Sequence, residues 1–284
     1  MIRALRSSFF RFFKTGLFFK SLIFTAAIAF FLIFRTCTED LGLLPFQQPR
    51  FINNAFITMT MLTLVYVVPF GAAIFSTIHT GSDVAFRSIN NKIATGISRT
   101  QLFVSDLIVT LLATEVSVVI QCVIIYLYAK FAPMKQNVSI TNHMINIVLC
   151  VMVICAAFCA VYVLIQYFSS NKLLALIISL LLIPALVVSS ELIEMKLGEP
   201  YRLYQYEYHE DEEEPEIIGW EVNPEYVGGT AREVLTFVYN TSPYTYRFAQ
   251  ADQSSLKSET LASGIVFVVS TALGLVSINK KEYP

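Results

Sequence analysis

Glu115 stands within an apolar run, Phe103–Tyr128, whose only other acidic residue is Asp106 near its start. An ionised carboxylate is costly in such surroundings, so it marks a functional site by default. It could line a translocation path, meet a cationic substrate, or hydrogen-bond to Ser or Thr of a neighbouring helix. Gln121 and Gln166, also in apolar runs, suit interhelical hydrogen bonding, and Asp106 is expected to be hydrated. The other reactive groups are scattered. His79, His143 and His209 fall in different regions, and neither H-E-x-x-H nor G-x-S-x-G occurs. Cys122, Cys150, Cys155 and Cys159 lie in apolar runs as small core residues, and Cys37 has no obvious partner. Cys155 and Cys159 share a helical face, but no His or carboxylate follows at zinc-site spacing, so no metal site is expected. Among the 11 glycines no G-x-x-x-x-G-K-[ST] phosphate loop is found. The chain is therefore read as a non-enzyme with no cofactor of its own.

The elements that carry these residues belong in lipid. The chain has 284 residues, of which 55% are hydrophobic and 14% charged, and its mean hydropathy is +0.61. Soluble proteins carry roughly 25% charge. A net charge of −1 gives no sign of a nucleic-acid partner. Six runs approach the roughly 20 residues needed to cross a bilayer: Leu17–Phe34, Ala55–Ile78, Phe103–Tyr128, Met144–Phe168, Leu173–Ile193 and Leu261–Ile278. None alternates with period two, so they are helices. The fold class expected is an all-α integral membrane protein with six transmembrane helices, an N-terminal amphipathic interfacial helix and a large extracytoplasmic loop before the last span.

Charge placement sets the orientation. Arg3, Arg6, Arg11, Lys14 and Lys20, then Arg87, Lys92 and Arg99, Lys172, and Lys280 with Lys281 all fall on one side of such a chain. The positive-inside rule makes that side, with both termini, cytoplasmic. Within residues 1–16, Ile2, Leu5, Phe9, Phe12 and Phe13 gather opposite Arg3, Arg6, Arg11 and Lys14. That pattern predicts a helix lying along the leaflet, or else a basic extension of span one. Residues 17–193 hold spans one to five, 194–260 the external loop, and 261–284 span six with its tail. The loop's YEYHEDEEEPE packs seven carboxylates around His209, a solvated acidic surface or an attractor for a cationic substrate. Further on, EIIGWEV and Ala231–Tyr239 are expected to be ordered, with Trp220, Tyr239 and Tyr244 at the outer interface.

The polar stretch between spans two and three, FRSINNKIATGISRTQLF from Phe86 to Phe103, has a legible grammar. Gly81 ends span two, Ser82 or Asp83 caps a new helix, and Gly96 closes it. Ser98 and Gln101 form a capping box for span three. Phe86, Ile89, Ile93 and Ile97 make an apolar stripe, with Arg87, Asn90, Asn91, Lys92 and Thr95 around the rest. The helix, within residues 82–96, is either a lever between two membrane helices or an anchor resting on anionic headgroups.

Asp83, Arg87, Asn90–Lys92, Gly96, Ser98 and Arg99 together resemble the loop between spans two and three of type-2 ABC transporter permeases. The basic arm, six spans, inward termini and external loop extend the likeness over nearly the whole chain, whereas Asp106 stands where many members carry a basic residue. The resemblance implies a coupling helix docked on a cytosolic ABC ATPase subunit, with Asp83, Phe86, Arg87, Asn91, Lys92, Gly96 and Arg99 at the ATPase contact. It further implies that the partner binds ATP and Mg, that a second permease chain, identical or different, completes a plasma-membrane exporter, and that peptide antibiotics or lipid-like amphiphiles are its substrates. Spans two and five would face the pathway, with Thr63, Pro69, Ser179, Pro184 and Glu115 along it. The competing expectation is an ion-coupled secondary transporter or channel that uses Glu115.

Overall fold

The computed structural model describes residues 1–14, 16, 19–20, 23–28, 30–31, 54–85, 88–131, 139–169, 171–207, 216–245 and 253–280. Five helices are long and apolar enough to cross a membrane: Ile57–Val84, Arg99–Phe131, Asn142–Phe168, Lys172–Gly198 and Gln253–Lys280. The chain is a multi-pass, largely helical membrane protein. Parts of the expected first span, including residues 32–34, together with Cys37, Phe86, Arg87 and the core of the acidic loop, lie outside the described residues.

Helix α1 (Ile2–Lys14) is followed by helical residues at 19–20, 23–28 and 30–31. The next span is built from α2 (Asn54–Leu62), α3 (Leu64–Ser76), a π-helical turn (Thr77–Gly81) and α4 (Ser82–Ala85). Gly81 therefore does not end the span. The Thr77 hydroxyl donates to the Ala73 carbonyl at 2.8 Å, inside the last turn before the bulge. A side chain at Gly81 would run into the Gln166 carboxamide, so this glycine admits a neighbouring helix. The Gln166 amide uses that space to donate to Thr77 Oγ1 at 2.7 Å.

A short helix, α5 (Ser88–Ala94), leads into α6 (Arg99–Phe131), α7 (Asn142–Phe168) and α8 (Lys172–Gly198). The α7 start is capped by Thr141, which accepts from the Met144 amide, and the α8 start by Asn171, which accepts from Leu173 and Leu174. Both spans run longer than their apolar windows because such caps let polar turns extend beyond the hydrocarbon.

The segment that follows α8 is not all helix. Strands β1 (Arg202–Glu207) and β2 (Glu216–Val222) pair antiparallel, with Tyr204 opposite Trp220 and an irregularity at Gln205/Tyr206. The Arg202 guanidinium lies 4.3 Å over the Trp220 ring, a cation–π contact that fixes the pair. Helix α9 (Gly229–Thr241) follows, and α10 (Gln253–Lys280) closes the chain. Tyr244 is buried against Tyr66 and Phe158 instead of meeting the interface. The main core joins α2, α3, α6 and α7. A second cluster, at the end holding α5, joins Val84, Ile89, Leu102, Phe103, Tyr167 and Ile278.

Candidate functional site: a charge cluster beneath the crosspiece

Helix α5 bridges two spans. It ends in a Schellman motif, with Gly96 N–H bonded to Ile93 O at 2.9 Å and Ile97 N–H to Lys92 O at 3.2 Å. Gly96 takes φ +87°, a left-handed conformation open to glycine without strain. The capping box then starts α6: Gln101 N–H donates to Ser98 Oγ at 3.2 Å, and Ser98 N–H to Gln101 Oε1 at 3.4 Å. The apolar stripe faces inward. Ile89 is fully buried, and Ile93 and Ile97 pack on the cluster formed by α6, α7 and α10. Thr100 reaches Asn279, near the end of α10, at 3.3 Å. Asn91, Ala94 and Thr95 point to solvent, and Arg99 is half-buried at the α6 start.

Under this crosspiece lies a cluster of charged side chains. Asp83 is 5% exposed, so it is no helix cap at the surface. It pairs with Arg11 and with Lys92, whose Nζ is 2.6 Å from Oδ2, and it accepts from Ser88 Oγ at 2.7 Å. Lys92 is thus turned inward from the surface expected for it. Arg11 also donates to the His79 carbonyl at 3.0 Å. Burial works against the Arg11 charge, but the hydrogen bond and charge of Asp83, with Asp106 beyond it, more than offset this and hold the proton more tightly than usual.

The second carboxylate is deeper. Asp106 is 1% exposed, not hydrated. Tyr167 Oη donates to it at 2.8 Å and Ser8 Oγ at 3.2 Å, while His79 Nε2 lies 3.7 Å away. His79 stacks on Phe75, with ring centroids 5.6 Å apart, and Phe12 packs edge-on against both rings. Lys172, at the start of α8, donates to Ser82 at 2.7 Å. Residues from α1, the π turn, α4, α5, α6, α7 and α8 therefore meet in one place.

Docking of α1 rests on the stripe Ala4, Ser8 and Phe12, which is buried, whereas Ile2, Phe10 and Phe13 are exposed. Phe12 sits among Phe75, Val109 and Ala113. The helix thus packs on protein along one face and leaves another for lipid. Arg11 leaves the outer polar face because Asp83 and the His79 carbonyl offer it a buried partner.

The expected pathway residues are not linked to one another by any described hydrogen bond. Glu115 follows Thr114, which accepts from Cys159 Sγ of α7 at 3.2 Å, and both its oxygens lack a hydrogen-bond partner among the described residues. Thr63 donates to Thr60 O at 2.7 Å. Pro69 and Ser179 are buried in α3 and α8, and Pro184 is exposed on α8. Sequence reading passed over His79, Ser8, Tyr167 and Ser105, whose Oγ lies 3.4 Å from Ser8 Oγ, as members of a site. The signal was present in two acids, Asp83 and Asp106, at the ends of apolar runs, and in one arm rich in arginine.

Among the described residues no group of His, Cys, Asp and Glu could hold a metal ion. No family model, curated protein or solved structure matches the chain.

Proposed function

We propose that this chain is the membrane-spanning permease subunit of an ATP-driven exporter of the type-2 ABC kind, moved by a separate ATPase that grips α5. The reading places the α5 end on the cytoplasmic side of the plasma membrane, with six spans and both termini inward. What supports it is the crosspiece itself. A helix closed by a Schellman turn, followed at once by a capped span, has little freedom to swing alone. Its buried side rests on the feet of α6, α7 and α10, so a push on Asn91, Ala94 and Thr95 reaches three spans together. The charge cluster adds α1 and α8 to the same rigid unit. Phe86 and Arg87 remain part of the proposed contact by sequence alone, and Asp83 and Lys92 serve it from inside, by holding the helix in place. Bound ATP and Mg would belong to the partner, and a second permease chain would complete the pathway.

The test is co-purification from the native host in mild detergent. An ATPase subunit should accompany the chain and be lost on Asn91→Trp or Thr95→Trp, which enlarge the exposed face without touching the ion pairs. A chain that purifies without any ATPase would sink the reading.

One observation favours a second reading, ion-coupled transport: the Glu115 carboxylate has no partner among the described residues, as a site awaiting a cation would. Transport by the purified chain alone, indifferent to ATP and abolished by Glu115→Gln, would select it.

A further inference from the structure

In the half of the bundle nearest the hairpin, α7, α8, α9 and α10 enclose a hollow of about 360 Å³, within the roughly 300–1,000 Å³ of small-molecule sites. Phe158 of α7 forms its back wall, α8 and α10 its sides, and Thr241–Pro243 its roof. Small residues make the space: Ala157, Ser189, Ser190, Ala262 and Ser263 stand where larger side chains would close it. Among the described residues no ionisable side chain lines it.

Helices α7 and α9 each pack against both α8 and α10. The side walls are therefore tied together at the back and at the top. Two lining residues, Ser189 on α8 and Val266 on α10, are themselves exposed, so the hollow opens between these helices, whose outer surfaces carry the exposed Leu181, Leu192, Ile265 and Val268. In a multi-pass membrane protein those surfaces meet hydrocarbon, and so does the gap.

Water has little to hold it there. Ser189 already donates to Leu186 O at 2.9 Å and Thr241 to Phe237 O at 2.9 Å. An empty apolar hollow forfeits dispersion contacts along its whole lining, and dry cavities of this kind accept apolar guests. Hydrophobic transfer contributes little inside a bilayer, where lipid tails are as apolar as the lining, so shape and one polar contact must select the occupant. The Ser190 and Ser242 hydroxyls lie 2.7 Å apart at the roofed end. The pair uses one of its two hydrogens internally and leaves the other to donate. A carbonyl at the top of a hydrocarbon chain matches both features.

We propose that this hollow binds the acyl chain of an ester-linked membrane lipid, with the chain along Phe158 and Leu186 and its ester carbonyl accepting from the Ser190–Ser242 pair. The site needs no ATPase and does not rest on the transport reading.

The test places the whole chain in phosphatidylcholine nanodiscs containing a phosphatidylcholine with a photoactivatable diazirine in its acyl chain. Crosslinked residues are then mapped by mass spectrometry. Labelling should concentrate at 154–161 and 262–266, at least about fivefold above exposed Leu181 and Leu273. Ala157→Leu and Ser263→Leu, on different helices, should each remove most of that excess and leave Leu181 and Leu273 unchanged. The second variant guards against misfolding of the first, and both are checked for wild-type elution. An ether-linked version of the probe should label the hollow less, with the difference abolished by Ser190→Ala plus Ser242→Ala. Labelling no denser in the hollow than at Leu181 and Leu273, labelling unmoved by both filling variants, or equal labelling by ester and ether probes would overturn the proposal.

Discussion

Asp83→Asn asks whether α1 is held by charge or only by its apolar seat. The amide keeps the size of the side chain but leaves Arg11 and Lys92 facing a neutral group. Removing one partner of a buried ion pair costs about 3–5 kcal/mol. The Arg11 and Lys92 side chains keep 29% and 19% exposure, so water relieves part of that penalty, and the amide oxygen still accepts one hydrogen bond. We expect a loss of about 2–3 kcal/mol, or roughly 30- to 150-fold in the docking equilibrium of α1. The assay is hydrogen exchange at the amides of Ile2–Lys14 in the detergent-solubilised protein. A helix of 13 residues is marginal by itself in water, so its protection reports docking. Arg11→Met should lower protection in the same direction, and the double variant should add little to Asp83→Asn, because members of one network do not act independently. Strictly additive losses would refute the clamp and leave Phe12 and its seat as the whole attachment.

Three further outcomes are expected. Gly274→Ala should destabilise the protein by about 1–3 kcal/mol as an overpacking change, since a Cβ there meets the fully buried Phe103 ring; thermal unfolding of this variant with and without Phe103→Leu checks it, the second change restoring stability. Glu115→Gln should leave thermal stability unchanged or slightly raised, because the carboxylate has no described partner to lose and the amide avoids burying a charge; a clear fall would expose a partner. The hydrogen bond and charge of Lys196 hold the Glu225 carboxyl below its usual range. Its contribution is complete above the ordinary glutamate pKa of about 4.3 and is lost only as pH falls through the depressed value; a carboxyl titration by NMR should show the lowered midpoint, moving back up in Lys196→Met.

Membrane class and most spans could be read from the sequence because lipid imposes one simple rule, a long apolar helix, on every crossing. The α5 turn was legible for a similar reason. Gly96, Ser98 and Gln101 act within a few residues of one another, and local hydrogen bonds need no tertiary knowledge. Gly81 misled because glycine ends helices and also makes room for neighbours, and only the position of Gln166 distinguishes the two. Asp106 read as hydrated from its place near a span end; its burial follows from Ser8 and Tyr167, which sit on other helices. The hairpin was missed although Tyr204-Gln205-Tyr206-Glu207 alternates, because so short a run takes its strand form only from pairing with Glu216–Val222. The site was legible as a helix and illegible as a cluster, since its residues come from seven separate elements.

The seat of α1 has a consequence for how the chain is made. Ser8 bonds to Ser105 and Asp106, 97 and 98 positions further along. A ribosome delivers the arm long before the helix that receives it. Until that helix has been inserted, the arm must wait on the membrane surface with Arg11 still hydrated. The exposed Ile2, Phe10 and Phe13 give it a means of waiting there, and the final docking belongs to a late stage of assembly.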